Sequence, residues 1–198
     1  MLAMRYRLDD DGQLYGEDGS IRDDDRVDAD RIEVPHLVPH VVTFDVGAEE
    51  KSDQVKVLVR YSCHCWSAEW DDERSAGKIR IMDGARERSF DLERFNASRD
   101  LPALITALLP ETPVYVTRSE RNYGCYNAAR LGTEGMAYTA YFTMRPRKGR
   151  FNLIRHSLLL QVESAYPRPQ PEEERSKTSL HAIIAASRKG DVVKYRRP

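Results

Sequence analysis

Cysteine is scarce in this sequence and net charge is nearly absent, with three thiols and a formal charge of −1 over 198 residues. An odd, small number of cysteines does not close a disulfide framework, and it fits a reducing compartment. The first ten residues lack the apolar centre of a secretory signal, so a cytoplasmic, bacterial-type protein is expected. No apolar run approaches the roughly 18 residues of a membrane span, and no membrane partner is expected. The glycine-rich phosphate loop, the Gly-x-Ser-x-Gly elbow and the His-Glu-x-x-His pair are all missing. Common nucleotide hydrolases, serine hydrolases and zincins therefore have no support. A globular core survives these exclusions, since 40% of the residues are hydrophobic.

What is present is charge sorted by position. Residues 1–36 carry eleven Asp or Glu against five Arg, including the runs Asp9–Asp11 and Asp23–Asp25, spaced by Gly12, Gly16 and Gly19. Residues 1–35 are expected to be an acidic, mobile leader, either solvated or lying on a basic surface in competition with an anionic ligand. Between Glu111 and Arg168 the balance reverses to nine Arg or Lys against four Glu. There Met136–Met144 and Phe151–Tyr166 alternate in polarity around Arg145-Pro146-Arg147-Lys148-Gly149-Arg150, which predicts a long hairpin with a cationic tip.

Residues 36–167 form the expected core domain. Strands are expected at His40–Val46 and Val55–Trp66. A further hairpin is expected over Lys78–Met82 and Glu87–Leu92 around the Asp83-Gly84 turn. Leu101–Leu109 has the apolar stripe of a short helix, with Ser98 or Asp100 as its cap. The Pro167–Pro171 stretch and Glu172–Arg175 predict a stiff charged linker within a 168–198 tail. At the end of that tail, Leu180, Ile183, Ile184 and Ser187 share one face of a helix stopped by Gly190, which either docks or serves a partner. The expected class is α+β: a curved, mainly antiparallel sheet or partly closed barrel with one packed helix and a C-terminal helix.

Tyr61-Ser62-Cys63-His64-Cys65-Trp66 has the residue types of a metal site. On a continuous strand, however, Cys63 and Cys65 face one way and His64 the other. Convergence requires the strand to break there. Buried structural thiols are the plainer expectation for Cys63, Cys65 and Cys125, and no metal and no cofactor are expected. The remaining chemistry lies in His, Tyr, Ser and Arg on a basic surface with interleaved aromatics. An imidazole or phenol there can move a 2′-hydroxyl proton while Arg or Lys steadies phosphate charge. Aromatic faces can stack unpaired bases.

The order of helix on sheet, basic hairpin and the terminal strand Ser157–Tyr166 resembles the compact bacterial ribonuclease toxins grouped around barnase, colicin and RelE, over residues 40–167. The resemblance implies a metal-independent endoribonuclease acting on RNA, with a polar or aromatic pair, Ser164 and Tyr166, at the end of the last strand and a His on a neighbouring strand. Two groupings compete, because His156 and Ser164 stand roughly 26 Å apart on a continuous strand. The preferred one gathers His64, Arg118, Ser164 and Tyr166. The other uses His156 with Arg150 and Arg155. Arg121, Arg147, Lys148 and Arg150 are the expected substrate-binding cations. The rival readings are a nucleic-acid binder without cleavage and a non-catalytic protein-binding module, of adaptor, inhibitor or immunity type, that engages its partner through the leader or the C-terminal helix.

Overall fold

The computed structural model describes residues 5–22, 26–47, 53–118, 125–131, 138–167 and 177–191, with backbone only at 116–118, 125–131, 167 and 177. In chain order the strands are β1 (Tyr6–Leu8), β2 (Leu14–Gly16), β3 (Ile21–Arg22), β4 (Arg26–Asp28), β5 (Ile32–Glu33), β6 (His40–Asp45), β7 (Gln54–Tyr61), β8 (Ser67–Glu69), β9 (Arg80–Asp83) and β10 (Arg86–Phe90). Helices α1 (Leu92–Ala97) and α2 (Leu101–Thr106) follow. Then come β11 (Pro113–Arg118), β12 (Cys125–Leu131), β13 (Tyr138–Phe151), β14 (Ile154–Pro167), β15 (Lys177–Ser179) and α3 (Leu180–Lys189). The class is α+β, weighted to strand, and the sheets are not closed into a barrel.

The chain divides into two compact units, one of Met1–Val38 with Cys63–Pro102 and one of Pro39–Ser62 with Ala103–Pro198. The division falls inside the residues 36–167 that the sequence groups as one domain. In the first unit, β3-β2-β1-β5 form one four-stranded sheet and β4-β9-β10-β8 another. The acidic segment is therefore structural where it is described. Tyr6, Leu8, Leu14, Val27 and Ile32 are buried, and this spaced apolar set is what draws short strands out of a charged sequence. Its acids find arginines of the same unit: Asp10 pairs with Arg99 at 2.6 Å, Asp18 with Arg22 at 3.2 Å and Glu33 with Arg5 at 2.6 Å. Asp23–Asp25 lie outside the described residues.

The hairpin expected around Asp83-Gly84 forms, with Asp83 opposite Arg86. The expected helix is present as α2, which begins at Leu101 and ends at Thr106, short of Leu109. A further helix, α1, precedes it and is capped by Asp91, whose side chain accepts from the Arg94 amide at 2.9 Å. Ser98 Oγ donates to the Phe95 carbonyl at 2.8 Å and so accepts from His36 Nε2 at 2.7 Å.

The second unit is built on one seven-stranded sheet in the order β15-β11-β12-β13-β14-β7-β6. Its ladders are antiparallel except β14 against β7, which runs parallel from Leu158 opposite Val57 to Val162 opposite Tyr61. Val57, Val59, Leu158, Leu160 and Val162 fill this centre and are almost wholly buried. Helix α3 docks as its apolar stripe requires. Leu180, Ile183, Ile184 and Ser187 are buried, Ser179 caps the Ala182 amide at 3.2 Å, and Gly190 takes the left-handed conformation (φ 74°) that closes the helix. The face that a partner would have needed is thus occupied within the unit.

The long hairpin is present, but its tip is not the basic hexapeptide. Strand β13 runs through Arg145–Arg150, and the reversal falls at Asn152-Leu153, both at positive φ (46° and 67°). A two-residue turn with positive φ at both positions matches the twist of its strands, and Asn tolerates that region. Arg147 and Lys148 instead lie in a register break between Pro146, opposite Leu158, and Gly149, opposite His156.

Candidate functional site

In the first unit the sequence Ser62–Trp66 does not stay extended. Strand β7 ends at Tyr61, and Cys63–Cys65 form one turn of 3-10 helix. Trp66 N donates to the Cys63 carbonyl at 3.1 Å, and Ser67 Oγ donates to the same oxygen at 2.7 Å. Arg94 Nη1 holds the His64 carbonyl at 3.3 Å. A serine four residues on therefore competes for the backbone and ends the strand. With the period of two lost, Cys63 and His64 are released from opposite faces.

They meet Asp83, brought by the end of β9. His64 Nε2 lies 2.8 Å from Asp83 Oδ2. Cys63 Sγ, a His64 ring nitrogen and an Asp83 carboxylate oxygen all lie within 4.8 Å of one another. The environment shifts the thiol and the imidazole in opposite directions. Burial pushes the Cys63 thiol up to about 11, with Asp83 adding to the rise and Arg88 opposing it. Burial and the Arg88 charge hold His64 below its ordinary value, against the pull of Asp83. The thiol is thus protonated at neutral pH, the opposite of an activated nucleophile. Arg88, itself buried, spends its donors on Ser67, Nε to Oγ at 2.8 Å and Nη2 to the carbonyl at 2.6 Å.

Cys65 is fully buried, so Cys63 and Cys65 are both interior thiols as expected, while the Cys125 side chain lies outside the description. Opposite facing of Cys63 and His64 needs a continuous strand, and the 3-10 turn removes it. Asp83 was visible in the sequence as a turn residue, and only the hairpin's position gives it a second role.

In the second unit the break in β13 shapes a different place. A cleft of about 650 Å³ is lined by Gln54, Lys56, Lys148, Gly149, Arg150, Arg155, His156 and Ser157. Four of these carry positive charge, and no carboxylate lines the cleft among the described residues. Arg150 stands directly opposite Arg155 in the ladder, an arrangement of like charges that costs stability unless something anionic relieves it. His156 is buried, 7% exposed, and its Nδ1 lies 3.0 Å from the Arg147 carbonyl. A carbonyl only accepts, so Nδ1 is the donor, and in the neutral ring Nε2 is the acceptor. The ring rests on Gly149: a Cβ there would stand 3.0 Å from Nε2.

Of the preferred grouping, His64 belongs to the first unit and is engaged there by Asp83, whereas Arg118, Ser164 and Tyr166 belong to the second. Arg118 is placed by its backbone at the end of β11, opposite Cys125. Ser164 pairs with Tyr141 across the hairpin, and the Tyr166 ring stacks on Tyr141 with centroids 5.4 Å apart. Arg121 lies outside the described residues. The competing grouping of His156, Arg150 and Arg155 is brought together, with Lys148 beside it and with Lys56, which the sequence reading had not singled out. The parallel pairing of β7 with β14 supplies Lys56, and no local signal announces a parallel neighbour about a hundred residues away.

Fold and sites together define a strand-rich α+β protein with a cationic hairpin cleft in one unit and a thiol–imidazole–carboxylate cluster in the other. No helix among the described residues is long and apolar enough to cross a membrane. The chain belongs to the YjaZ family, whose model matches residues 24–188 and so takes in the cluster and the cleft alike. No curated protein and no solved structure matches it.

Proposed function

We propose that this protein is a cytoplasmic RNA-binding protein whose hairpin cleft supports metal-independent cleavage of single-stranded RNA. The observation that carries this reading is the convergence of Lys56, Lys148, Arg150 and Arg155 on an imidazole whose tautomer is fixed. The cations hold successive phosphates, and their attraction is independent of sequence. His156 Nε2 takes the 2′-hydroxyl proton. The 2′-oxygen then attacks phosphorus, the bond to the 5′-oxygen breaks, and that oxygen leaves with a proton from solvent, giving a cyclic phosphate. The flanking guanidinium and ammonium groups steady the charge that gathers on the phosphoryl oxygens in the transition state.

The burial of His156 favours a second reading, in which the cleft binds RNA and does not cut it. Both readings share one binding test. For single-stranded RNA followed by fluorescence anisotropy, replacing Lys148, Arg150 and Arg155 together by Ala should lower the slope of log affinity against log salt by about 2, at about 0.7 per cation. An unchanged slope and affinity would remove the cleft from any role with nucleic acid.

A further inference from the structure

The cleft leaves the first unit's cluster unexplained, and that cluster has the donor chemistry of a transition-metal centre. We propose that Cys63, His64 and Asp83 form a zinc site with three protein donors and an exchangeable fourth position filled by water. Thiolate, imidazole and carboxylate are the ligand types that zinc combines, and three protein donors with one open position is the arrangement of exchangeable rather than closed structural zinc. The three donors are gathered at one place, within reach of a common ion. Donors sharing one tetrahedral zinc stand roughly 3.3–3.7 Å apart. Here the three donor atoms already lie within 4.8 Å of one another, with Asp83 Oδ2 and His64 Nε2 at 2.8 Å.

Two of the donors are held by the rigid turn at Cys63–Cys65, pinned through Ser67 and Arg94, and the third comes from a hairpin turn. The Asp83 side chain is 42% exposed and can rotate to close the remaining distance, while Cys63 is 8% exposed. An ion enters from the Asp83 side and meets the thiol last. On binding, the Cys63 thiol gives its proton to solvent and the Cys63 Sγ–zinc bond forms. The ion lies between the imidazole and the carboxylate that now share a hydrogen bond. With one thiolate and one carboxylate the bound ion is neutralised. Arg88 remains turned to Ser67, and its charge lowers the affinity rather than blocking the site. Cys65, fully buried, takes no part.

Cobalt is the probe, since a thiolate bound to it gives charge-transfer absorption in the near ultraviolet. Chelator-treated full-length protein should develop that absorption with one equivalent of cobalt, and one equivalent of zinc should abolish it. Cys63→Ser should lose it and Cys65→Ser should keep it. Asp83→Asn, on an exposed turn, should bind cobalt about tenfold or more weaker, as loss of a ligand or its support does. Circular dichroism checks that each variant is folded. Absence of the absorption in the parent protein, its survival in Cys63→Ser or its loss in Cys65→Ser would overturn the assignment. If Cys63→Ser does not fold, Asp83→Asn decides, and unchanged cobalt affinity in that variant would overturn it equally.

Discussion

His64 and His156 each commit one ring nitrogen to an oxygen, yet the oxygens differ. At His64 the partner is the Asp83 carboxylate, with the Cys63 thiol beside it. At His156 it is the neutral Arg147 carbonyl, and the surrounding side chains are cations. A carboxylate and a thiol make the first imidazole one donor among three, suited to an ion. A carbonyl partner and neighbouring cations suit the second to the base proposed for it. The same residue therefore acquires two chemistries, decided by what a broken strand in each case brings to it: the turn after β7 for His64, the register break in β13 for His156.

Charge reversal should separate the two regions most strongly. Arg150→Glu with Arg155→Glu should weaken single-stranded RNA binding roughly a hundredfold, the scale of losing several phosphate contacts. Arg86→Glu, beside His64, should leave that affinity within about twofold. Equal losses from the two would erase the distinction. A subtler change sharpens it: Gly149→Ala places a methyl against His156 Nε2 and should slow cleavage about tenfold or more through misplacement of the ring. RNA affinity should hold, and a parallel fall in affinity would show that Gly149 shapes the cleft rather than the base.

The smallest effect concerns acid. Burial and Arg99 hold His36 below its ordinary value, with Asp10 opposing. The folded state thus binds its proton less readily than the unfolded chain. The stability that this contributes is complete above the unfolded value of about 6.5 and is lost as pH falls below it toward the folded value. His36→Gln should flatten the fall in melting temperature between pH 7 and pH 5 relative to the parent. An identical pH profile would mean that His36 is not the titrating group.

The parts of the fold that were legible in sequence are those set by short-range pattern. Helix α3 declared itself through Leu180, Ile183 and Ile184 with Ser179 and Gly190 at its ends, and the Asp83-Gly84 turn through its dipeptide. The hairpin tip was displaced because Lys148-Gly149 has the look of a turn, whereas Leu153 at φ 67° carries no such mark. Residues 1–35 were read as a leader because their charge density outweighed single apolar residues such as Leu8 and Leu14, which are buried and pair with each other across β1 and β2. At the sites the same division applies. Arg150 and Arg155 were legible as a local charge cluster. Lys56 and Asp83 were not, since each reaches its site through pairings that no short motif encodes.

The role proposed for His156 is cleavage of RNA without a metal. The most direct measurement is incubation of full-length protein with labelled single-stranded RNA in EDTA, beside His156→Ala and His64→Ala variants shown to be folded. Loss of cleavage by about a hundredfold or more in His156→Ala, with His64→Ala retaining the parent's rate, is the predicted result. Cleavage that stops in EDTA, or that survives in His156→Ala, would contradict it.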